Sequence, residues 1–366
     1  MSYLTLDGVK KSFRKEEVLS GVSLGVERGE TVVVFGTSGA GKTVLLRLIA
    51  GMYEPDEGDI RIGSESVVGV GPEARDVGMA FQNFALYPHM PAFENIASPL
   101  RARRRPEDEI RRRVHRIAGL LRIDHVLHHL PRALSNGQKQ RTALARSLVS
   151  GPSVLLLDDP LRNVDAKLRY EMRLELPRVL RDFEATVIYV TQDYKEAMAL
   201  GDRIAVLIDG RFAQVAPPAA IYREPASMAI ARLFGDPTIN LYPCRPSANG
   251  EGVGVELFGS RFALPPACEE AAGRDCLIGL RPEHLQIGME RSEGAVPVEL
   301  DAVTPLNVRA VLLLKTQAGE EVLASCSEAD ALRFPRGHRA VWARPAMETA
   351  LLFDRESGER IGPRRH

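Results

Sequence analysis

Gly36-Thr-Ser-Gly-Ala-Gly-Lys42-Thr43 follows the β-branched run Thr31-Val-Val-Val-Phe35 and precedes a helical pattern over residues 44–50. The eight residues fit G-x-x-x-x-G-K-[ST], and their place between a strand and a helix matters as much as the letters. Glycines let the backbone N–H groups of Gly36, Thr37, Ser38, Gly39, Ala40 and Gly41 curl around phosphates, and the helix N-terminus adds the positive end of its dipole. Lys42 is spaced to reach the β- and γ-phosphates, and the Thr43 hydroxyl to ligate Mg²⁺. By chance such a match arises on the order of once in a hundred chains of this length. The stretch predicts a nucleotide-binding α/β fold.

Working outward, Val154-Leu-Leu-Leu-Asp158-Asp159 is a second buried strand that ends in two acids. Asp158 stands where a P-loop NTPase places the carboxylate that positions Mg²⁺. Thr186-Val-Ile-Tyr-Val190 and Ile204-Ala-Val-Leu-Ile208 complete a set of nearly continuous apolar runs, as parallel strands covered on both faces require. The fold class is therefore α/β over residues 1–235, with a helical subdomain near 86–150. Residues 101–116 (RARRRPEDEIRRRVHR) are rich in arginine. Acids interrupt them and no aromatics are interleaved, so they read as a solvated helical face and not as an RNA site. Prolines at 217, 218, 225, 237, 243 and 246 mark a junction. Beyond it, short alternating runs such as 296–300 and 310–314 predict a small all-β domain over 240–366.

Composition narrows the class. The 366 residues suit two domains, perhaps three, at about 150 residues each. The 48 basic and 48 acidic residues cancel, which argues against a nucleic-acid coat and leaves protein partners open. Only eight of the cations are lysine, so Lys42 stands out at its spacing. Cys244, Cys268, Cys276 and Cys326 form no CxxC pair, resemble neither a disulfide framework nor a zinc site, and fit a reducing compartment. The N-terminal residues show no signal-peptide pattern, and no run reaches the roughly 18 apolar residues of a membrane-spanning helix.

Leu134-Ser-Asn-Gly-Gln-Lys-Gln-Arg141 resembles the LSGGQ signature of ATP-binding cassette (ABC) ATPases. Phe81-Gln-Asn-Phe-Ala-Leu-Tyr-Pro-His-Met90 resembles their Q-loop, and Pro160-Leu-Arg-Asn-Val-Asp165 their D-loop. Leu280-Arg-Pro-Glu-His-Leu285 and the stretch 353–361 (FDRESGERI) resemble the C-terminal domain of importer ATPases of the maltose and glycerol-3-phosphate type. The resemblance implies a RecA-like P-loop NTPase core with a helical subdomain, followed by an OB-like (TOBE-type) regulatory domain. It implies an ATP-hydrolysing subunit at the cytoplasmic face of the inner membrane, held there by two permease subunits and served by a substrate-binding protein, with carbohydrate, polyol or glycerol phosphate as cargo. Two such subunits would sandwich two ATP molecules, each between one chain's phosphate loop and the other's signature. Phe13 would stack on adenine, unless it is simply a core aromatic. Gln82 would touch Mg²⁺, and Ser135, Asn136, Gly137 and Gln138 would meet the partner's γ-phosphate at the start of a helix over 138–150.

Four positions depart from the family pattern. Asp159 replaces the Glu that polarises the attacking water, and is one methylene shorter. Gln192 replaces the switch histidine; it can donate a hydrogen bond but cannot carry charge or a proton. Arg162 stands where the D-loop has Ser, which puts that loop's contact across the dimer in doubt. Asn136 replaces a Gly, a mild change if the backbone there is left-handed, which Asn tolerates. These departures predict an impaired catalytic site formed by Lys42, Asp159 and Gln192, paired with a competent paralogue in a heterodimer; the alternative is a homodimer of reduced activity. A soluble cassette ATPase of DNA repair or translation is the competing class, but the chain has neither a second cassette nor a long coiled-coil insertion.

Overall fold

The computed structural model describes residues 2–14, 16–249, 252–334 and 339–362, and the chain divides into two compact units, Met1–Ala219 and Ala220–His366. In the first unit the strands are β1 (Leu4–Phe13), β2 (Glu16–Val26), β3 (Thr31–Phe35), β4 (Glu57–Ile62), β5 (Glu65–Ser66), β6 (Val77–Ala80), β7 (Val154–Asp158), β8 (Thr186–Thr191), β9 (Arg203–Ile208) and β10 (Arg211–Ala216). They form a six-stranded sheet of order β10-β9-β3-β8-β7-β6 and a four-stranded antiparallel sheet of order β2-β1-β4-β5. The larger sheet is parallel except for the β9–β10 hairpin. The four apolar runs read from the sequence become β3, β7, β8 and β9. Every residue of β7 and β8 is buried, as strands covered on both faces must be.

The α-helices of this unit include α1 (Lys42–Ile49), α2 (Ala92–Ala102), α3 (Glu107–Leu120), α4 (Asn136–Leu148), α5 (Ala166–Asp182) and α6 (Tyr194–Leu200). Both predicted helix ranges are shifted: α1 begins at Lys42 instead of 44, and α4 at Asn136 instead of 138. In each case the loop residues wind directly into the first turn. α2, α3 and α4 pack on one another. The arginine-rich stretch lies on them as a charged face, with Arg101 paired to Glu94 and Glu107, and Arg113 to Glu109. Ile110, Val114 and Ile117 turn the other face of α3 inward.

The second unit is built from three antiparallel sheets around one apolar cluster that includes Val255, Ile278, Val298, Leu312 and Val341. Asn240, only 8% exposed, donates from Nδ2 to the carbonyls of Leu280 and Leu323 and accepts from the Leu323 N–H, so it ties two of the sheets together. Residues 220–235, read from the sequence as the end of the first domain, group here. The buried Arg281 donates to the carbonyls of Tyr222 and Phe234 and lies 3.6 Å over the Tyr222 ring, while Ala231 packs with Ile239, Leu351 and Phe353. The four cysteines are free thiols, Cys268 and Cys276 buried and the other two half-buried; burial raises Cys244 to about 12.

α1 carries the phosphate loop at one end and is held at the other by a buried cation. Arg75, 2% exposed, donates from Nη1 to the carbonyls of Leu48 (2.8 Å) and Ile49 (3.2 Å) and from Nε to Val70. A positive group at a helix C-terminus satisfies carbonyls that the helix leaves open and matches its dipole. Gly51, at φ +78°, ends the helix in a left-handed turn, and a Cβ there would come within 2.5 Å of Arg75 Nε. Replacing Arg75 with Ala strands these carbonyls in the core and is expected to cost about 3 kcal/mol, read as a lower urea midpoint at unchanged slope. Gly51→Ala should be destabilising for the same contact, whereas alanine at exposed Arg111 should leave the midpoint unmoved.

Candidate active site

Lys42 opens α1 after Gly41, whose φ of +98° turns the chain sharply and whose missing side chain leaves room for Val18 and Leu19 of β2. No side chain caps the helix, so its first N–H groups remain available to an anion. Lys42 is 6% exposed, and its Nζ donates to the carbonyls of Gly36 (2.9 Å) and Thr37 (2.6 Å). Burial lowers its ammonium below the ordinary lysine value, and the carboxylates of Asp159 and Asp158 partly offset that.

The two acids arrive from β7. Asp158 is the strand's last residue, and its Oδ1 accepts a hydrogen bond from Thr43 Oγ1 at 3.0 Å. Burial raises its carboxyl, against the Thr43 hydrogen bond and the charges of Arg47 and Lys42. Asp159 takes a left-handed conformation, φ +45°, which Asp tolerates better than most residues with a side chain, and its N–H donates to Val190 of β8 at 2.9 Å. Its carboxyl is also raised by burial, with Arg162 pulling the other way. Gln192 follows β8, in a loop shaped by the buried Glu196, which accepts from Tyr189 and Thr191.

One cavity is lined by Ser38, Gly39, Gly41, Lys42 and Thr43 of the phosphate loop and the start of α1, together with Gln82, Asp158, Asp159, Arg162 and Gln192. The structure thus gathers the predicted catalytic and metal residues at one place. Gln82 is steadied there by its carbonyl, which accepts from Asn163 Nδ2 at 3.0 Å. Phe13 lies outside this wall. It is 38% exposed, which removes its reading as a core aromatic, and meets Tyr53 edge-on at 5.3 Å; Tyr53 in turn accepts from Arg47.

The signature residues also lie outside the cavity, at the start of α4. Ser135 is the N-cap: its hydroxyl accepts from the Gln138 N–H, and the Gln138 side chain reaches back to the Ser135 N–H. Such reciprocal capping is legible as S-x-x-Q in the sequence. Asn136 is the first helical residue and has no positive φ, so its presence is explained by a helical position and not by tolerance of a left-handed one. Gly137 packs against α5, where a Cβ would approach Leu168 Cδ2 to 2.1 Å. Arg162 is a further departure from expectation. Its guanidinium turns into this chain's own cavity, with Nη1 3.8 Å from Asp159 Oδ2.

Along its length the chain is similar to the sn-glycerol-3-phosphate import ATP-binding protein UgpC of Cereibacter sphaeroides, at 40% identity over 367 residues, covering 99% of this chain and 100% of that protein. The chain belongs to the ABC transporter ATPases. Residues 19–162 match the ABC transporter family itself. The protein of the same name from Escherichia coli strain K12 is 39% identical over 363 residues, with 99% and 100% covered. Among solved structures, the ATP-binding cassette MJ0796, captured as a dimer in a post-hydrolysis state with ADP and Pi, aligns at a TM-score of 0.54 and 30% identity over 59% of this chain and 98% of its own. This ABC ATPase is accordingly an ATP-binding, ATP-hydrolysing subunit of an importer-type transporter. No helix among its described residues is long and apolar enough to cross a membrane.

The Thr43–Asp158 hydrogen bond joins α1 to β7 even without nucleotide. Thr43→Val removes the one donor to the Asp158 side chain found among the described residues and is expected to cost about 1–3 kcal/mol in the nucleotide-free protein, whereas Thr43→Ser retains the bond. Equal urea midpoints for the Val and Ser variants would refute a structural role for this contact.

Proposed function

We propose that this ATPase drives uptake of a small polyol phosphate such as sn-glycerol-3-phosphate, or a related sugar or polyol, as one half of an asymmetric pair of cassettes. The observation that carries the reading is the cavity itself, which joins a complete phosphate loop to a shortened acid and an uncharged Gln192. The cargo is suggested by the names of its full-length relatives.

Within the cavity, Lys42 and the backbone N–H groups at the head of α1 bind the β- and γ-phosphates of ATP. Thr43, Asp158 and Gln82 would offer hard oxygen ligands to Mg²⁺, a sparse set of the kind that metal takes from protein. When bound, Mg²⁺ neutralises phosphate charge and orients the terminal group. Asp159 accepts the proton of a water whose oxygen bonds to Pγ; the bond from Pγ to the β–γ bridging oxygen breaks, and ADP leaves with that electron pair. Asp159 is one methylene shorter than Glu, so the water lies about 1 Å from its best position, and the rate falls roughly 100-fold. Gln192 donates a hydrogen bond to the γ-phosphate without charge.

Ser135, Asn136, Gly137 and Gln138 complete the site of a second, paralogous cassette, and Phe13 stacks on adenine. Coupling to two permease subunits runs through the segment after β6. Gln82 reaches the cavity, and five residues on Tyr87 lines a groove with Pro99 and Ala102 of α2 and Arg146 of α4. Arg146 donates to the carbonyls of Phe84 and Ala85, so the segment between cavity and groove is tied to α4. A short helix of a permease subunit fits this groove and places the ATPase on the cytoplasmic face of the membrane, where a binding protein on the other side delivers cargo.

Steady-state hydrolysis by the chain purified alone tests the impaired site. The double variant Asp159→Glu, Gln192→His is expected to exceed wild type by about 100-fold. Equal rates would instead make the chain a self-sufficient homodimer, and the asymmetric pairing would fall.

A further inference from the structure

Arg162 is held in a way that a merely exposed arginine is not. Its N–H donates to the Asp159 carbonyl at 3.2 Å, which closes a turn directly after β7. Its own carbonyl, with that of Val164, accepts from Arg169 Nη2, each at 3.2 Å. On either side Leu161 and Val164 are buried against Met172 of α5. The backbone is therefore fixed, while the side chain is half exposed and held by one loose ion pair to Asp159.

The cavity's charges make its direction significant. Among the residues that line it, Lys42 and Arg162 are the two cations, facing Asp158 and Asp159. Lys42 already spends donors on Gly36 and Thr37. The Arg162–Asp159 separation of 3.8 Å is that of a loose ion pair and not of a bidentate one. A guanidinium so placed is an unsaturated set of donors beside the position where a terminal phosphate must lie to face Asp159. It is planar, permanently charged and matched to phosphate oxygens.

We propose that Arg162 is a catalytic residue of this chain's own site: it leaves Asp159 to bind the terminal phosphate of ATP, and so supplies in cis the positive charge that Gln192 lacks. The inference rests on the reading that ATP binds with its third phosphate facing Asp159. Two consequences follow. Arg162 distinguishes ATP from ADP, because only ATP presents the group it binds. It also frees the Asp159 carboxylate to accept the proton of the attacking water only when a triphosphate is present, and stabilises the charge on the equatorial oxygens as the Pγ bond to the bridging oxygen breaks.

The test measures ATP and ADP affinities, with Mg²⁺, by calorimetry on the full chain, together with single-turnover hydrolysis. Arg162→Ala is expected to weaken ATP binding by about 10- to 100-fold, leave ADP binding within about twofold, and slow the single turnover by about 100-fold or more. Arg162→Lys, which retains charge but not the planar fork, should recover part of the ATP affinity. Unfolding midpoints of the variants, compared with wild type, identify any loss that comes from folding. Equal loss of ATP and ADP affinity in a stably folded Arg162→Ala would overturn the proposal, as would faster turnover, which would make Arg162 a brake on Asp159. Wild-type protein that binds neither nucleotide would defeat the underlying reading of the cavity. Wild type that binds both while the variant still discriminates between them would defeat only the role of Arg162.

Discussion

The Lys42 ammonium is almost out of water at the head of α1, donating to the carbonyls of Gly36 and Thr37. A buried cation is costly unless charge of the opposite sign is near, and much of the first unit is arranged around that requirement. β7 ends on Asp158 with Asp159 directly after it, and Thr43, the next residue of α1, bonds to Asp158. Desolvation presses all three groups towards neutrality, lowering Lys42 and raising Asp158 and Asp159, so none can change charge without altering the others. A polyphosphate bound here would give the ammonium and the N–H groups of α1 the anion they face.

What surrounds this cluster divides into stiff and yielding parts. β3, β7 and β8 lie side by side in the parallel sheet, and Arg75 holds the far end of α1, so the phosphate loop has little freedom to retreat. Gln82, Arg162 and Gln192, in contrast, come from loops after β6, β7 and β8, and each reaches the cavity from a different side. The strands fix where phosphate lies, and the loops decide what is sensed there.

The parts of this arrangement visible in the sequence are those that depend on local order. The phosphate loop, the apolar runs of β3, β7, β8 and β9, and the acids at the end of β7 all follow from short stretches whose spacing has one physical reading. The parts that were not visible depend on direction or on distant partners. Nothing near Arg75 in the chain announces that it caps a helix 26 residues earlier. Nothing in residues 220–235 names Arg281 as the group that draws them towards the second unit. The letters S-N-G-Q suggest a glycine-like turn at Asn136, whereas the cap formed by Ser135 and Gln138 begins a helix there. The signature, Q-loop and D-loop were legible by resemblance, but the turn of the Arg162 side chain into the cavity was not, since a loop residue's heading is set by the packing of Leu161 and Val164 beneath it.

Gly137 and Leu168 lie 31 positions apart, yet a Cβ at 137 would meet the end of the half-buried Leu168 side chain, which would have to turn aside. Sequence drift at either position is therefore conditional on the other. A chain with a shorter residue 168 accepts a methyl group at 137 directly, whereas with leucine there the same methyl requires the side chain to take another rotamer. The first turn of α4 and the first turn of α5 thus share a contact, and the glycine of the signature is coupled to the rotamer of a leucine on another helix.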